Sequence, residues 1–203
     1  MSFKHYFDKA YCINLDRRTD RWEDAQKEFE RVGIEVSRLS AVDGKSYTFQ
    51  NTLKAGAYGC KLSHLKVLTK AVYKGYEKIF IAEDDIVFDD NFNEKFDHIS
   101  KNIPSDWDLI YLAANPFSGQ RVSIADGVSS MVGGHSSHSI LMRDTFFNKA
   151  IDAINSMPQQ VDVIYGILQN SFNCYVTIPH LAFQRNGFSD VEDQEINYDF
   201  FKV

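Results

Sequence analysis

Short apolar runs of β type alternate along this chain with stretches of helical spacing. Residues 10–15, AYCINL, predict a first buried strand. In residues 16–33, DRRTDRWEDAQKEFERVG, the positions Trp22, Ala25, Phe29 and Val32 recur at helical spacing. Asp16 or Thr19 can cap that helix, and Gly33 ends it. A second strand, residues 34–42, runs into a turn at Asp43-Gly44. Residues 56–76 read as a helix with Leu62, Leu65, Leu68 and Val72 on one face and Gly75 just past its end. The run KIFIAEDDIVFDD, residues 78–90, is a buried strand that ends in three consecutive acids. A helix closed by Pro104 follows, then a strand in DLIYLAA at 108–114. Residues 115–139, rich in Gly and Ser, predict irregular chain with short strands and a mobile middle. SILM is a strand, residues 143–157 and 161–170 are helices, and NCYVTI at 173–178 is expected as the last strand. Strands alternating with helices imply an α/β fold with a mainly parallel central sheet flanked by helices.

In such sheets ligands bind beyond the carboxyl ends of the strands. The polar segments DRRTDR, AVDG and EDD therefore belong near one rim. Glu83, Asp84 and Asp85 repel one another and resist desolvation, so a positive partner is required. A hard cation such as Mg²⁺ or Mn²⁺ takes carboxylate oxygens and fits this need; a solvated acidic strand end is the alternative. Arg17, Arg18 and Arg21 stand just after a strand, where guanidinium forks and helix amides suit phosphate. They could equally pair with Asp20, Asp24 and Glu28 on a surface helix. Lys61 and His64 lie near the start of a helix, and a lone histidine such as His64 is commonly a satisfied core residue. His135 and His138 have only a weak metal-type spacing.

Composition narrows the field. The 203 residues suffice for one domain with a substantial core. Sixteen Phe and ten Tyr serve mostly that core, and a formal charge of −6 disfavours nucleic acid or an anionic membrane as partner. Cys12, Cys60 and Cys174 are far apart and lack metal spacing, which predicts reduced, buried thiols and a cytoplasmic setting. Neither a signal-type leader nor a membrane-spanning run is present in the sequence given.

CINLDRRTDR, LSAVDG, GAYGCKLSHLKVL, IFIAEDDIVF and WDLIYLAA, in that order, resemble glycosyltransferase family 25. That group holds lipooligosaccharide and procollagen galactosyltransferases. The resemblance is colinear over residues 10–113 and continues more weakly through HSILMRDTFFNKAI, QVDVIYGIL and LAFQRNGFSD. It implies a single GT-A-like catalytic domain over 1–203, a nucleotide-sugar donor such as UDP-galactose or UDP-glucose, and a divalent cation, Mn²⁺ or Mg²⁺. Under it, Asn14, Leu15, Arg17, Arg18, Arg21, Ala41 and Asp43 cradle the nucleotide, while Lys61, Ser63 and His64 face the donor. Glu83 or Asp84 meets the ribose or the metal, Asp85 is the strongest metal ligand, and His138 is a further candidate ligand. Asp162 is the expected base for an acceptor hydroxyl on a glycan, protein or other polymer, with Asp190 second, and inversion is the expected outcome. Two rivals use the same acids: a metal-dependent nucleotidyl or phosphoryl transferase, and a nucleotide-sugar-binding module without turnover.

Overall fold

A sheet of eight strands organises the chain, and the computed structural model describes residues 2–47 and 53–201. In chain order the elements are β1 (Lys9–Asn14), α1 (Thr19–Val32), β2 (Val36–Ser40), α2 (Ala55–Lys74), β3 (Lys78–Glu83) and β4 (Ile86–Phe88). Then come α3 (Phe92–Ile99), β5 (Leu109–Tyr111), β6 (Gln120–Ala125), β7 (Val128–Val132), β8 (Ser139–Arg143) and α4 (Asp144–Ser156). The chain continues with α5 (Val161–Leu168), β9 (Cys174–Thr177), β10 (Ala182–Gln184), β11 (Gly187–Ser189) and β12 (Gln194–Ile196).

The central order is β2-β1-β3-β8-β5-β9-β7-β6. Six of these strands point one way and only β7 and β8 run against them, so the sheet is mainly parallel, as expected. Such strands are buried on both faces, which is why β3 reads as an uninterrupted apolar run. Ile79 and Ile81 pack on one face with Val67, Leu68, Phe146 and Tyr165 from α2, α4 and α5. Phe80 and Ala82 pack on the other with Phe29 of α1 and with Phe88, Phe92 and Phe96. Phe3 meets Phe80, Phe92 and Phe96 edge-on at 4.7–5.0 Å, so the phenylalanines do serve the core.

From β1 the chain crosses through α1 to β2 on one side, then through α2 to β3 on the other. The two crossover helices lie on opposite faces of the sheet. The carboxyl ends of β1 and β3 therefore form a switch point, where a crevice must open.

Three expectations change. NCYVTI is not the last strand: β10 pairs antiparallel with β4, and β11 with β12 make a hairpin. Residues 115–139 are more regular than their glycines imply, because β6 and β7 form a hairpin with Gly127 (φ +76°) at its turn, and β7 is bonded to β9. In α2 the row Ala57, Lys61, His64, Leu68 and Ala71 is the buried one, with Val72 44% exposed. The same 3–4 spacing fits both rows, and the buried row wins because its polar members find partners from distant chain.

Candidate active site

The carboxyl ends of β1, β2 and β3 open into a cleft of about 430 Å³. Leu15, Arg17, Arg21, Ala41, Asp43 and Ser63 line it, as do Glu83, Asp84, Asp85, His138, Asp162 and Asp190. Asn14, Arg18, Lys61 and His64 are not among the lining residues; Asn14, Arg18 and His64 stand against Asp84, Asp190 and Glu83, which are.

Each acid of the triplet has a different environment. Glu83 accepts from the Ser137 hydroxyl at 2.8 Å and lies 3.9 Å from His64 Nε2. Burial pushes its pKa up, but His64 and Ser137 outweigh that and hold it below the usual value. Asp84 accepts from Asn14 Nδ2 at 2.7 Å and from Arg21 at 3.0 Å, yet burial still raises its pKa. Asp85 has the poorest partners: Arg21 at 3.5 Å and Gln184 at 3.4 Å on one oxygen, while buried Oδ1 has no hydrogen-bond partner. Desolvation, reinforced by Glu83, raises its pKa to about 7. The positive partner that the acids demand is thus supplied in part by Arg21, a third of the chain away in sequence. An orphaned carboxylate oxygen beside two further acids, in a cleft, is a donor set that fits a hard divalent cation.

The other two arginines are also engaged. Asp190 accepts from Arg17 at 2.7 Å and from Arg18 at 2.6 Å, and Arg17 additionally pairs with Asp43. Burial alone would raise the Asp190 pKa, but the two guanidiniums hold it below the usual range. Asp190 belongs to a strap, residues 187–200, that runs over the cleft. Glu192 receives Lys54 Nζ at 2.8 Å, Arg21 donates to the Phe188 carbonyl at 2.7 Å, and Tyr198 N donates to Asn186 Oδ1 at 2.6 Å.

The wall formed by α2 sits tight against the AVDG turn. A Cβ on Gly59 would lie 2.4 Å from the Val42 carbonyl oxygen, so only glycine lets these backbones meet. That approach lets Ser63 Oγ accept from Val42 N at 2.8 Å while it donates to the Gly59 carbonyl at 2.7 Å. Lys61 is buried and its ammonium donates to the Met157 carbonyl, so it ties α2 to the end of α4. His64 is fully buried with Nδ1 3.2 Å from the Tyr165 hydroxyl.

Across the cleft, Asp162 stands in the first turn of α5, and its Oδ1 accepts from Val163 N at 2.8 Å. Burial raises its pKa, with the Val163 amide and nearby His135 acting against that. His138 is buried; desolvation lowers its pKa to about 4, so the ring is neutral. Its Nδ1 is 2.6 Å from Ser136 Oγ, and the ring also meets the backbone of Ala182.

Comparison with known proteins gives the family. The family described as glycosyltransferase family 25 (LPS biosynthesis protein) matches residues 7–157. This chain belongs to glycosyltransferase family 25. The family 25 chain is similar to human inactive glycosyltransferase 25 family member 3, at 27% identity over 148 residues, 62% of this chain and 25% of that protein. It is also similar to human procollagen galactosyltransferase 2, at 33% over 129 residues, 52% of this chain and 20% of that protein. The chain spans about a quarter of the length of the curated relatives it matches. Among solved structures, a glycosyltransferase involved in the glycosylation of the major capsid of PBCV-1 shares the fold, with a TM-score of 0.55 at 10% identity. That match covers 91% of this chain and 95% of that one, and the fold is GT-A-like. No helix among the described residues is long and apolar enough to cross a membrane.

The family 25 chain also places residues in the cleft that its sequence did not single out. Ile196, Tyr198 and Phe200 line it from the strap. Their spacing of two, in INYDF, was the available signal. Cys60, expected as a buried thiol, is only partly covered and lines the cleft as well.

Proposed function

We propose that this chain transfers a hexosyl group from a nucleotide-sugar donor, UDP-linked, to an acceptor hydroxyl on a glycan, protein or other polymer, with inversion. Residues 1–203 act in this reading as one catalytic domain. The observation that carries it is Asp85: a buried carboxylate with an orphaned oxygen, at the switch point of an α/β sheet, beside two more acids. A divalent cation, Mn²⁺ or Mg²⁺, held by Asp85 with Asp84 or Glu83, would offset the charge that develops on the leaving diphosphate. His138 is neutral and borders the same space, but its ring is engaged by Ser136 and Ala182, so the carboxylates are the stronger donors.

The remaining roles fall to groups of this chain. Leu15, Ala41 and Asp43 form the floor on which the nucleoside rests. Arg17 and Arg18 receive the diphosphate in exchange for Asp190. Asn14 and Arg21 orient Asp84, while Ser63, Lys61 and His64 fix the α2 wall. Asp162 takes the acceptor proton: it lines the cleft, and its raised pKa favours proton affinity. Asp190, held as an anion by two arginines, is a poor base. The free cysteines support a reducing, cytoplasmic setting.

A second reading, a nucleotide-sugar-binding module without turnover, draws on Arg21. Its guanidinium already sits between Asp84 and Asp85 and does part of a cation's work. One experiment decides between them. Nucleoside diphosphates and nucleotide sugars are screened by thermal shift with Mn²⁺, Mg²⁺ or EDTA, and those that bind are tested for release of the free nucleotide. Metal-dependent stabilisation with turnover supports the transferase; stabilisation without turnover supports the module. Absence of any nucleotide-dependent shift on folded protein sinks both.

A further inference from the structure

Behind the acidic triplet lies a cluster of a different chemistry. Cys60 and His64 stand four residues apart on α2 and so face the same side, where Glu83 ends β3. Cys60 Sγ, His64 Nε2 and a Glu83 carboxylate oxygen all lie within 4.8 Å of one another. His64 is 0% exposed, and its Nε2 is buried without a hydrogen-bond partner. The 3.9 Å from Nε2 to Glu83 Oε1 is too long for a hydrogen bond.

Tyr165 sharpens the point. Its hydroxyl lies 3.2 Å from His64 Nδ1. A cation between Nε2 and the Glu83 carboxylate would give the buried nitrogen the partner it lacks. The Tyr165 contact holds the ring in place, as partners behind metal-binding histidines do.

We propose that Cys60, His64 and Glu83 form a binding site for a thiophilic divalent cation of the zinc class, distinct from the hard-cation position at Asp85. One sulfur, one imidazole nitrogen and one carboxylate oxygen are the donors such ions prefer, and they discriminate against Mg²⁺. Zinc bonds of about 2.0–2.3 Å set tetrahedral ligands about 3.5 Å apart. The present spacing, up to 4.8 Å, has to shorten by about 1 Å for such an ion to be held. The Cys60 thiol proton leaves to buffer as the sulfur–metal bond forms. Cys60, Glu83 and Ser137 all border the cleft, so an ion has an entry path.

The inference goes beyond the transferase reading, and its test needs no nucleotide. Chelator-treated protein is titrated with Co²⁺. One equivalent should give a thiolate-to-cobalt charge-transfer band with tetrahedral visible bands, bleached by Zn²⁺. The band should vanish in Cys60→Ser and persist in Asp85→Asn. In wild-type protein, where folding is not in question, Zn²⁺ should slow maleimide labelling of Cys60 at least tenfold, read by peptide mapping. Absence of a thiolate band, or Cys60 labelling unaffected by Zn²⁺, overturns the proposal. A band that survives Cys60→Ser assigns it to another thiol. One lost equally in Asp85→Asn merges the two positions into one, and either result also overturns it.

Discussion

Replacing Asp85 by Asn should stabilise the ligand-free protein at pH 8. Burial and the neighbouring Glu83 raise the Asp85 pKa from 3.8 to about 7. That rise corresponds to about 4 kcal/mol borne by the charged form. Asparagine removes the charge but leaves the Arg21 guanidinium with one carboxylate fewer. That contact is long, at 3.5 Å, and its pull on the charged form is already contained in the raised pKa. The gain is therefore about 4 kcal/mol, or about 8–16 °C in Tm for a chain of this size. The sign follows from linkage: between about pH 4 and pH 7 the folded wild type holds more protons than its unfolded chain. Its stability therefore falls as pH rises through that interval, and the advantage of Asp85→Asn grows from near zero at pH 4 to its full size at pH 8. Thermal unfolding of both proteins across that range, in EDTA, reads it out. A variant that is less stable at pH 8, or a difference that does not change with pH, would refute the account of Asp85 as an under-compensated buried charge. With Mn²⁺ and a binding nucleotide present, the order should reverse, because only the wild type keeps the ligand set.

Asp162→Asn should cut transfer to acceptor by about 10²–10⁴-fold while nucleotide affinity stays within about twofold, which a kinetic and calorimetric pair checks. Full activity would remove Asp162 from the base role. Asp190→Asn should tighten binding of a nucleoside diphosphate several-fold, because Arg17 and Arg18 lose their internal anion; unchanged affinity with lost transfer would make Asp190 the base instead. Gly59→Ala should cost about 1–3 kcal/mol in urea unfolding, since the added methyl meets backbone at 2.4 Å from Val42 O and 2.7 Å from Gly44 N. A neutral substitution would show that α2 and the AVDG turn are not locked together.

The sequence displayed the sheet and the rim of the cleft because both are local patterns. The apolar run of β3, the Gly33 and Gly75 helix ends, and the polar segments after β1, β2 and β3 can be recognised within a dozen residues. What stayed hidden depends on partners far along the chain. Lys61, Ser63 and His64 turn inward on α2 because Met157, Val42 and Tyr165 receive them, and no helical pattern announces that. The need for positive charge at the acids was legible, but not that Arg21 supplies part of it, since nothing local links residue 21 to residues 84 and 85. The strap escaped for another reason: β11 and β12 have three residues each, too few for alternation to stand out.

Asp190 sits at Arg17 and Arg18 on a covalent tether, so the diphosphate of the proposed donor would meet a competitor there that never diffuses away. A tethered carboxylate on a short strap acts at an effective concentration on the order of millimolar. The apparent affinity of any anion at the arginine pair is scaled down by the fraction of time Asp190 leaves it. The same tether works in the other direction once a diphosphate is to be released, because the returning carboxylate bars rebinding. Under the proposed function, the strap would trade ground-state affinity for rapid exchange at this site.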